Sequence, residues 1–464
     1  MAEYIPSMKK VMSLKKKVIN LLMFAASIAA MTFIVLYRSK PRFSEILGCL
    51  MVVAFCYFIL FLFLLQFRSV IINVIRKVAF ILLVILIFAL LSRLISYRYG
   101  YNFIYIVPFA IVPVIIRTFY DSRLALFVLL ISVLLTSLFL PEPFEFILIS
   151  FIAGMASIFT LTSIYRKSRL FFTSFSVIAT MTLVYLGYML MRGGSFEKAE
   201  FNNLFLFVIN GVLVLLSYPL IIVFEQRFLL ISETTLLELS DTNQPLLRKF
   251  AEEAPGSFQH SLQVANLAEE AARVIQANVP LVRAGSLYHD IGKIASPSYF
   301  IENQAESNPH DNLSTKDSTR IIINHVRNGV NLARNYKMPV QIIDFIRTHH
   351  GTTIAYFFYR KFVDQNPGTT DVESEFTYPG PKPFSKETAV VMMADAVEAA
   401  SRTLSSYSEE EIRGLVDRII LRQEQEGQFS DVPLTFREIS EIKSVFAKRL
   451  TTIYHTRIAY PERS

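Results

Sequence analysis

Ahead of residue 225 the sequence passes through apolar stretch after apolar stretch, each about as long as a membrane-crossing helix, with short charged breaks between them. A bilayer core about 30 Å thick needs roughly 20 apolar residues in a helix. Eight stretches qualify, at 18–37, 43–67, 78–97, 101–117, 124–140, 144–165, 170–191 and 203–224. In lipid every backbone polar group must be satisfied within the protein, so a run of this kind can only be a bundle of helices. Pro108 and Pro113 predict a kink in the fourth span. The expected fold class is therefore all-α. A polytopic membrane bundle, one anchor plus seven spans, is followed by a cytosolic all-helical domain.

Charge sets the orientation. Up to residue 230 there are 21 Lys and Arg against 8 Asp and Glu, and afterwards 25 against 30. The basic excess thus belongs to the membrane half. It concentrates at Lys9, Lys10 and Lys15–Lys17 and in the breaks that begin at Arg68, Arg117 and Arg166, whereas Glu142 and Glu145 mark an opposite loop. Positive-inside bias then places the lipid-embedded chain with both termini in the cytoplasm, although Arg38, Lys40 and Arg42 in the first outside loop run against it. A basic excess confined to membrane-flanking loops gives no reason to expect polymeric nucleic acid as a partner. The first span has a Lys-rich flank but lacks a small-residue cleavage site, so it reads as a retained anchor. Cys49 and Cys56, about 10 Å apart along one helix, cannot pair.

The expected organisation is a basic tail (1–17), an anchor (18–37), the seven-span bundle (43–224), a connecting segment (225–253) and a soluble domain (254–464). The connecting segment reads as an amphipathic helix that could pair with a second copy in a homodimer. In the soluble domain, apolar positions recur at helical spacing over 261–276, 280–290, 317–335, 339–349, 385–404, 408–424 and 435–455. Two long stretches between them, 293–316 and 361–384, are rich in Pro, Gly, Asn and Ser and read as loops.

Five of the seven histidines fall at His260, His289, His325, His349 and His350, with Asp290 beside His289 and Asp395 further on. They sit on or at the ends of five predicted helices. Imidazole and carboxylate together suit Mn, Fe or Zn, and a pair of such ions can clamp phosphoryl oxygens. Asp290 has two oxygens and could bridge two metals. Gly292 and Gly351 stand where helices are expected to stop. Lys293 is a candidate phosphate contact, and Tyr288 or Tyr299 a candidate neighbour of a base. Rival chemistries lack their residues: there is no GxxxxGK[ST] loop, no GxSxG elbow and no cysteine in the soluble half.

His289–Lys293 spells HDIGK, and with 238–269, YFIENQ (299–304), NPHD (308–311), HHGT (349–352), YPGPKP (378–383) and ADAVEAASR (394–402) the chain resembles the bacterial seven-transmembrane HD-domain cyclic di-AMP phosphodiesterases. The resemblance implies a protein of the bacterial cell membrane that hydrolyses cyclic di-AMP to linear 5′-pApA with a two-metal-activated water, using manganese or iron. It implies that His260, His289, Asp290 and Asp395 hold one metal, and that Asp290, His325, His349 and His350 serve the second. The related branch acting on cyclic di-GMP carries a GYP tripeptide, which is missing here. Other readings are an HD nucleotide phosphohydrolase acting on (p)ppGpp or a dNTP, and a receptor that binds nucleotide without turnover. Members of the family usually carry an extracellular domain after the first span, where this sequence has about five residues, Arg38 to Arg42.

Overall fold

The computed structural model describes residues 14–160, 167–193, 201–304, 308–367, 369, 372–404 and 406–455. Lys9, Lys10 and Arg166, which entered the sequence analysis, lie outside the described residues. The chain divides into two compact units between Thr234 and Thr235. Among the described residues, regular structure is helical, and the one β-type pairing is an isolated bridge between Ile354 and Thr377.

The first unit contains α1 (Leu14–Leu36), α2 (Phe43–Phe67), a short α3 (Ser69–Ile72), α4 (Ile75–Tyr99), α5 (Ile111–Phe119), α6 (Ser122–Ser137), α7 (Pro143–Thr160), α8 (Lys167–Met191), α9 (Phe201–Val214) and α10 (Ser217–Phe228). Among the described residues, six helical stretches are long and apolar enough to cross a membrane, or seven if the bent pair α9–α10 is one span. The remaining one of the eight expected spans, α6, is a shorter apolar helix. At about 1.5 Å per residue its 16 residues reach about 24 Å, short of a bilayer core. The expected kink is a break: a 3-10 turn, Tyr101–Ile106, precedes Pro108, and α5 starts only at Ile111. Pro113 lies in the first turn of α5, where its missing N–H costs nothing. Asn210 on α9 repairs the break by donating from Nδ2 to the carbonyls of Tyr105 (2.8 Å) and Val107 (2.9 Å). Arg68, after α2, grips both oxygens of Asp121 at 2.7 Å, and Asp121 caps the N-terminus of α6.

The connecting segment is not one amphipathic helix. Leu229 adopts a left-handed conformation (φ 51°) and ends α10, after which come α11 (Glu233–Leu239) and α12 (Pro245–Glu253). The remaining helices of the second unit are α13 (Pro255–Val274), α14 (Val279–Tyr288), α15 (Thr315–Asn335), α16 (Val340–Thr348), α17 (Tyr356–Gln365), α18 (Lys386–Ser401), α19 (Glu409–Gln425) and α20 (Phe436–His455). Their core joins Val264, Leu267 and Ala268 of α13 to Val390, Val391 and Ala394 of α18 and to Ile412, Ile442 and Phe446. α17 starts in the stretch after His350 to which the sequence analysis assigned no helix, and runs into the expected loop 361–384. Its YFFY opening has low helix propensity and no apolar period, so the pattern hid it. The predicted loop 293–316 is a series of 3-10 turns at Ile291–Ala295, Pro297–Tyr299, Ile301–Asn303 and Pro309–Asn312.

A buried histidine and aspartate centre

Five elements aim seven side chains at one point. His260 comes from the second turn of α13, His289 and Asp290 from the end of α14, His325 from the middle of α15, His349 and His350 from the end of α16, and Asp395 from α18. All are buried except His350, which is partly exposed. Three triads have ligand atoms within 4.8 Å of one another: His325, His349 and His350; His260, His289 and Asp290; and His289, His349 and Asp395.

Asp290 faces both ways. Its Oδ1 lies 3.4 Å from His325 Nε2 and 3.6 Å from His349 Nε2. Its Oδ2 lies 3.3 Å from His289 Nε2 and 3.7 Å from His260 Nε2. Asp395 Oδ1 is 2.9 Å from His260 Nε2 and 3.6 Å from His289 Nε2, and its other oxygen is 3.9 Å from His350 Nδ1.

Close backbone packing makes this convergence possible. A Cβ on Gly292 would fall 1.8 Å from the His325 carbonyl oxygen, so only glycine lets the turn after His289-Asp290 lie against α15. α14 stops just before Gly292, at Tyr288, and Gly292 adds a close approach of the backbone. Gly351 does mark a stop: its φ of +52° turns the chain just after His350.

Electrostatics divides the centre. Burial pushes the His325 imidazole down to about 3 despite Asp290, and burial with His349 nearby lowers His350 as well. Burial acts in the same direction on His260, but hydrogen bonds to Asp395 and Glu398 outweigh it and raise that group. His289 is raised likewise, because Asp290 and Asp395 overcome its burial. Burial opposes ionisation of Asp290, yet Lys293 and His289 hold its carboxyl well below the usual range.

Two atoms in the middle of the cluster, His289 Nε2 and Asp290 Oδ1, are buried without a hydrogen-bond partner. Leaving such groups unmet costs roughly 1–3 kcal/mol each, more when charged. One cation type satisfies both, since imidazole nitrogen and carboxylate oxygen are its ordinary ligands. The residues present thus fit a divalent metal centre.

Beside the centre opens a cleft of about 340 Å³ lined by His260, His350, Tyr356, Arg402 and Arg422 among others. Lys293 reaches its edge, though its ammonium is already held 2.8 Å from Asp290 Oδ2 and 2.7 Å from Glu302 Oε1. Tyr288 and Tyr299 do not line the cleft. The Tyr288 hydroxyl donates to the Leu239 carbonyl at 3.0 Å, and the Tyr299 carbonyl pairs with His310 Nε2 at 2.9 Å. Tyr288 and His289 are about 100° apart around the helix, and the Tyr288 hydroxyl is taken up by Leu239.

Sequence reasoning missed four neighbours. Glu398 adjoins His260 and is held by Arg402, Glu302 holds Lys293, and Tyr378 stacks on the His350 ring at 4.2 Å. The one readable signal was spacing, since Glu398 follows Asp395 by one helical turn.

An all-helical bundle with His/His-Asp/His/His-His/Asp stations around one buried point defines an HD domain, here joined to a multi-pass membrane unit. Residues 43–232 match the family described as "7TM receptor with intracellular HD hydrolase", and residues 257–400 match the HD domain, a metal-dependent hydrolase domain. The chain belongs to this family of membrane proteins with an HD domain. It is 38% identical over 78% of its length to the cyclic-di-AMP phosphodiesterase PgpH of Bacillus subtilis (strain 168), covering 52% of that protein. It is 35% identical over 78% of its length to the PgpH of Listeria monocytogenes, covering 51%. The chain therefore spans about half the length of these curated relatives. A crystal structure of the L. monocytogenes PgpH HD domain in complex with cyclic-di-AMP matches at 43% identity and a TM-score of 0.45, over 47% of this chain and 100% of that one.

Proposed function

We propose that this chain is a membrane-bound, metal-dependent phosphodiesterase that hydrolyses cyclic di-AMP to linear 5′-pApA. The observation that carries the reading is the pair of partnerless atoms, His289 Nε2 and Asp290 Oδ1, inside a ring of imidazoles and carboxylates beside a cleft. The substrate follows from the activity named for the PgpH relatives. In this reading His260, His289, Asp290 and Asp395 hold one divalent ion, and Asp290, His325, His349 and His350 the second, with manganese or iron as the ions. When bound, such ions polarise phosphoryl oxygens and supply hydroxide near neutral pH.

The chain's own residues do the rest. Asp290, with one oxygen toward each half, links the two positions. Lys293 holds the Oδ2 side of Asp290 in place and is itself held by Glu302. Arg402 and Arg422 line the cleft as donors within reach of a phosphate, each already paired with a carboxylate, Glu398 and Glu426. A water oxygen bonds to phosphorus, the bond to the ribose 3′ oxygen breaks, and the 5′-phosphate stays on the product. The membrane unit lies in the bacterial cell membrane with the HD unit on the cytoplasmic side, as the basic breaks direct.

The test is hydrolysis of cyclic di-AMP and cyclic di-GMP side by side, with added Mn²⁺ and product chromatography. Conversion of cyclic di-AMP to pApA, lost in Asp290→Ala, is expected. Turnover of cyclic di-GMP alone, or release of pyrophosphate or triphosphate from (p)ppGpp or a dNTP instead, would overturn the substrate assignment.

A further inference from the structure

An imidazole that offers one ring nitrogen to a cation needs its other nitrogen fixed, or the ring can take the wrong tautomer. Three rings solve this locally. His289 Nδ1 faces the Ser286 carbonyl at 2.6 Å, His349 Nδ1 faces the Ile346 carbonyl at 2.9 Å, and His325 Nδ1 faces the Ile322 carbonyl. Each partner lies three residues earlier in the chain, within the helix that carries or ends at the histidine. All three partners are neutral.

His260 is built differently. Its Nδ1 faces Glu398 Oε2 on α18 at 2.5 Å, while its Nε2 faces Asp395 Oδ1, one turn earlier on the same helix, at 2.9 Å. Glu398 is itself gripped on its other oxygen by Arg402, through Nε at 3.0 Å and Nη2 at 2.6 Å. Asp395, Glu398 and Arg402 thus form one face of α18, spaced by three and four residues. The carboxylate of Glu398 is buried. The ring of His260 stands between that contact and the centre, because the two ring nitrogens point in opposite directions.

We propose that Glu398, anchored by Arg402, is a positioning residue for His260: it accepts the Nδ1–H and so commits Nε2 to the cation. The inference rests on the metal reading proposed above. An ionised acceptor makes a stronger hydrogen bond than a carbonyl and increases the basicity of the ring it orients. The two halves of the centre are then unequal by design. His260 depends on a long-range side-chain partner 138 residues away, whereas His325 and His349 in the other half are fixed by carbonyls of their own helices.

The test uses the full chain in detergent, stripped with chelator and titrated with Mn²⁺, with free Mn²⁺ followed by electron paramagnetic resonance. The wild type is expected to bind two ions. Glu398→Leu is expected to weaken one of them by about 10–100-fold, the range typical of an outer-sphere partner, and to leave the other unchanged. Glu398→Gln keeps an amide oxygen able to accept the Nδ1–H and should fall between Leu and wild type; Arg402→Met should show a smaller loss than Glu398→Leu. Two bound ions at wild-type affinity in Glu398→Leu would overturn the positioning role. So would equal losses of both ions in the Leu and Gln variants together with a lowered melting temperature, which marks packing alone. A wild type that binds no Mn²⁺ would instead overturn the metal reading itself, and the inference with it.

Discussion

Both units bury Ser and Thr side chains that donate to backbone carbonyls, but they differ in the ionisable groups they bury. Among the described residues, the buried polar side chains of the membrane unit, Tyr aside, are all Ser, Thr or Asn, such as Ser132, Ser174 and Asn210. Many of these hand their hydrogen to a backbone carbonyl: Ser132 to Val128 at 2.7 Å, Ser174 to Gly211 at 2.5 Å, Asn210 to Tyr105 and Val107. The HD unit buries His260, His289, Asp290, His325, His349, Asp395 and Glu398 together. Neutral groups in the first unit mend the backbone. Ionisable groups in the second face one another, and His289 Nε2 and Asp290 Oδ1 among them lack a hydrogen-bond partner, as do a few neutral atoms of the first unit such as Asn210 Oδ1. Burial of charge is costly unless it is paired or coordinates a metal. The difference therefore separates polar residues that serve the fold from polar residues that serve a ligand.

That contrast can be broken by substitution, and the largest effect is expected at Asp290. Asp290→Ala removes the group shared by both halves, and should lower phosphodiester hydrolysis by more than the roughly 100-fold typical of losing an outer partner. Steady-state rates, with metal content measured on the same sample, check this. Next comes Gly292→Val. The new side chain meets the His325 carbonyl, and overpacking of this kind costs about 1–3 kcal/mol or more. A fall of several degrees in the melting temperature of the HD unit, with weakened Mn²⁺ binding, is the expected result.

Smaller effects belong to the membrane unit. Asn210→Leu frees two carbonyls beside the Pro108 break, and hydrogen bonds of this kind in membranes average about 0.6 kcal/mol each. Unfolding in mixed detergent should show a loss of about 1 kcal/mol with the Mn²⁺ affinity of the HD unit unaltered. Ser132→Ala should be smaller still, about 0.5 kcal/mol or less, because the Val128 carbonyl keeps its own helical partner. A Ser132 or Asn210 variant that abolished metal binding would dissolve the distinction between the two kinds of burial.

Much of this was legible in the sequence for a physical reason. Long apolar runs can only be helices in lipid, and histidines are few enough that five stations with two acids stand out. What was hidden depends on three-dimensional approach. No periodicity shows that Gly292 must admit the His325 carbonyl, or that the 16 residues of α6 fall short of a bilayer core. Tyr288 and Tyr299 were candidates from the motif, but the Tyr288 hydroxyl bonds the Leu239 carbonyl and Tyr299, in a separate 3-10 turn, pairs with His310, and neither lines the cleft. Lys293 carries its charge to Asp290 and Glu302 as well as to the cleft, a pairing that Glu302, nine residues on within a predicted loop, did not advertise. Glu398 was readable in principle from its one-turn spacing to Asp395, yet an acid on a helix is ordinarily a solvated residue.

The central claim is that the buried cluster is a two-cation centre organised around Asp290. Its most direct test is the number of Mn²⁺ ions retained per chain after equilibrium dialysis of the purified full-length protein, measured by elemental analysis for the wild type and for Asp290→Ala. The account predicts two ions in the wild type and a loss of both in the variant, since Asp290 faces each position. No retained ion in the wild type, or retention that Asp290→Ala leaves unchanged, would contradict it.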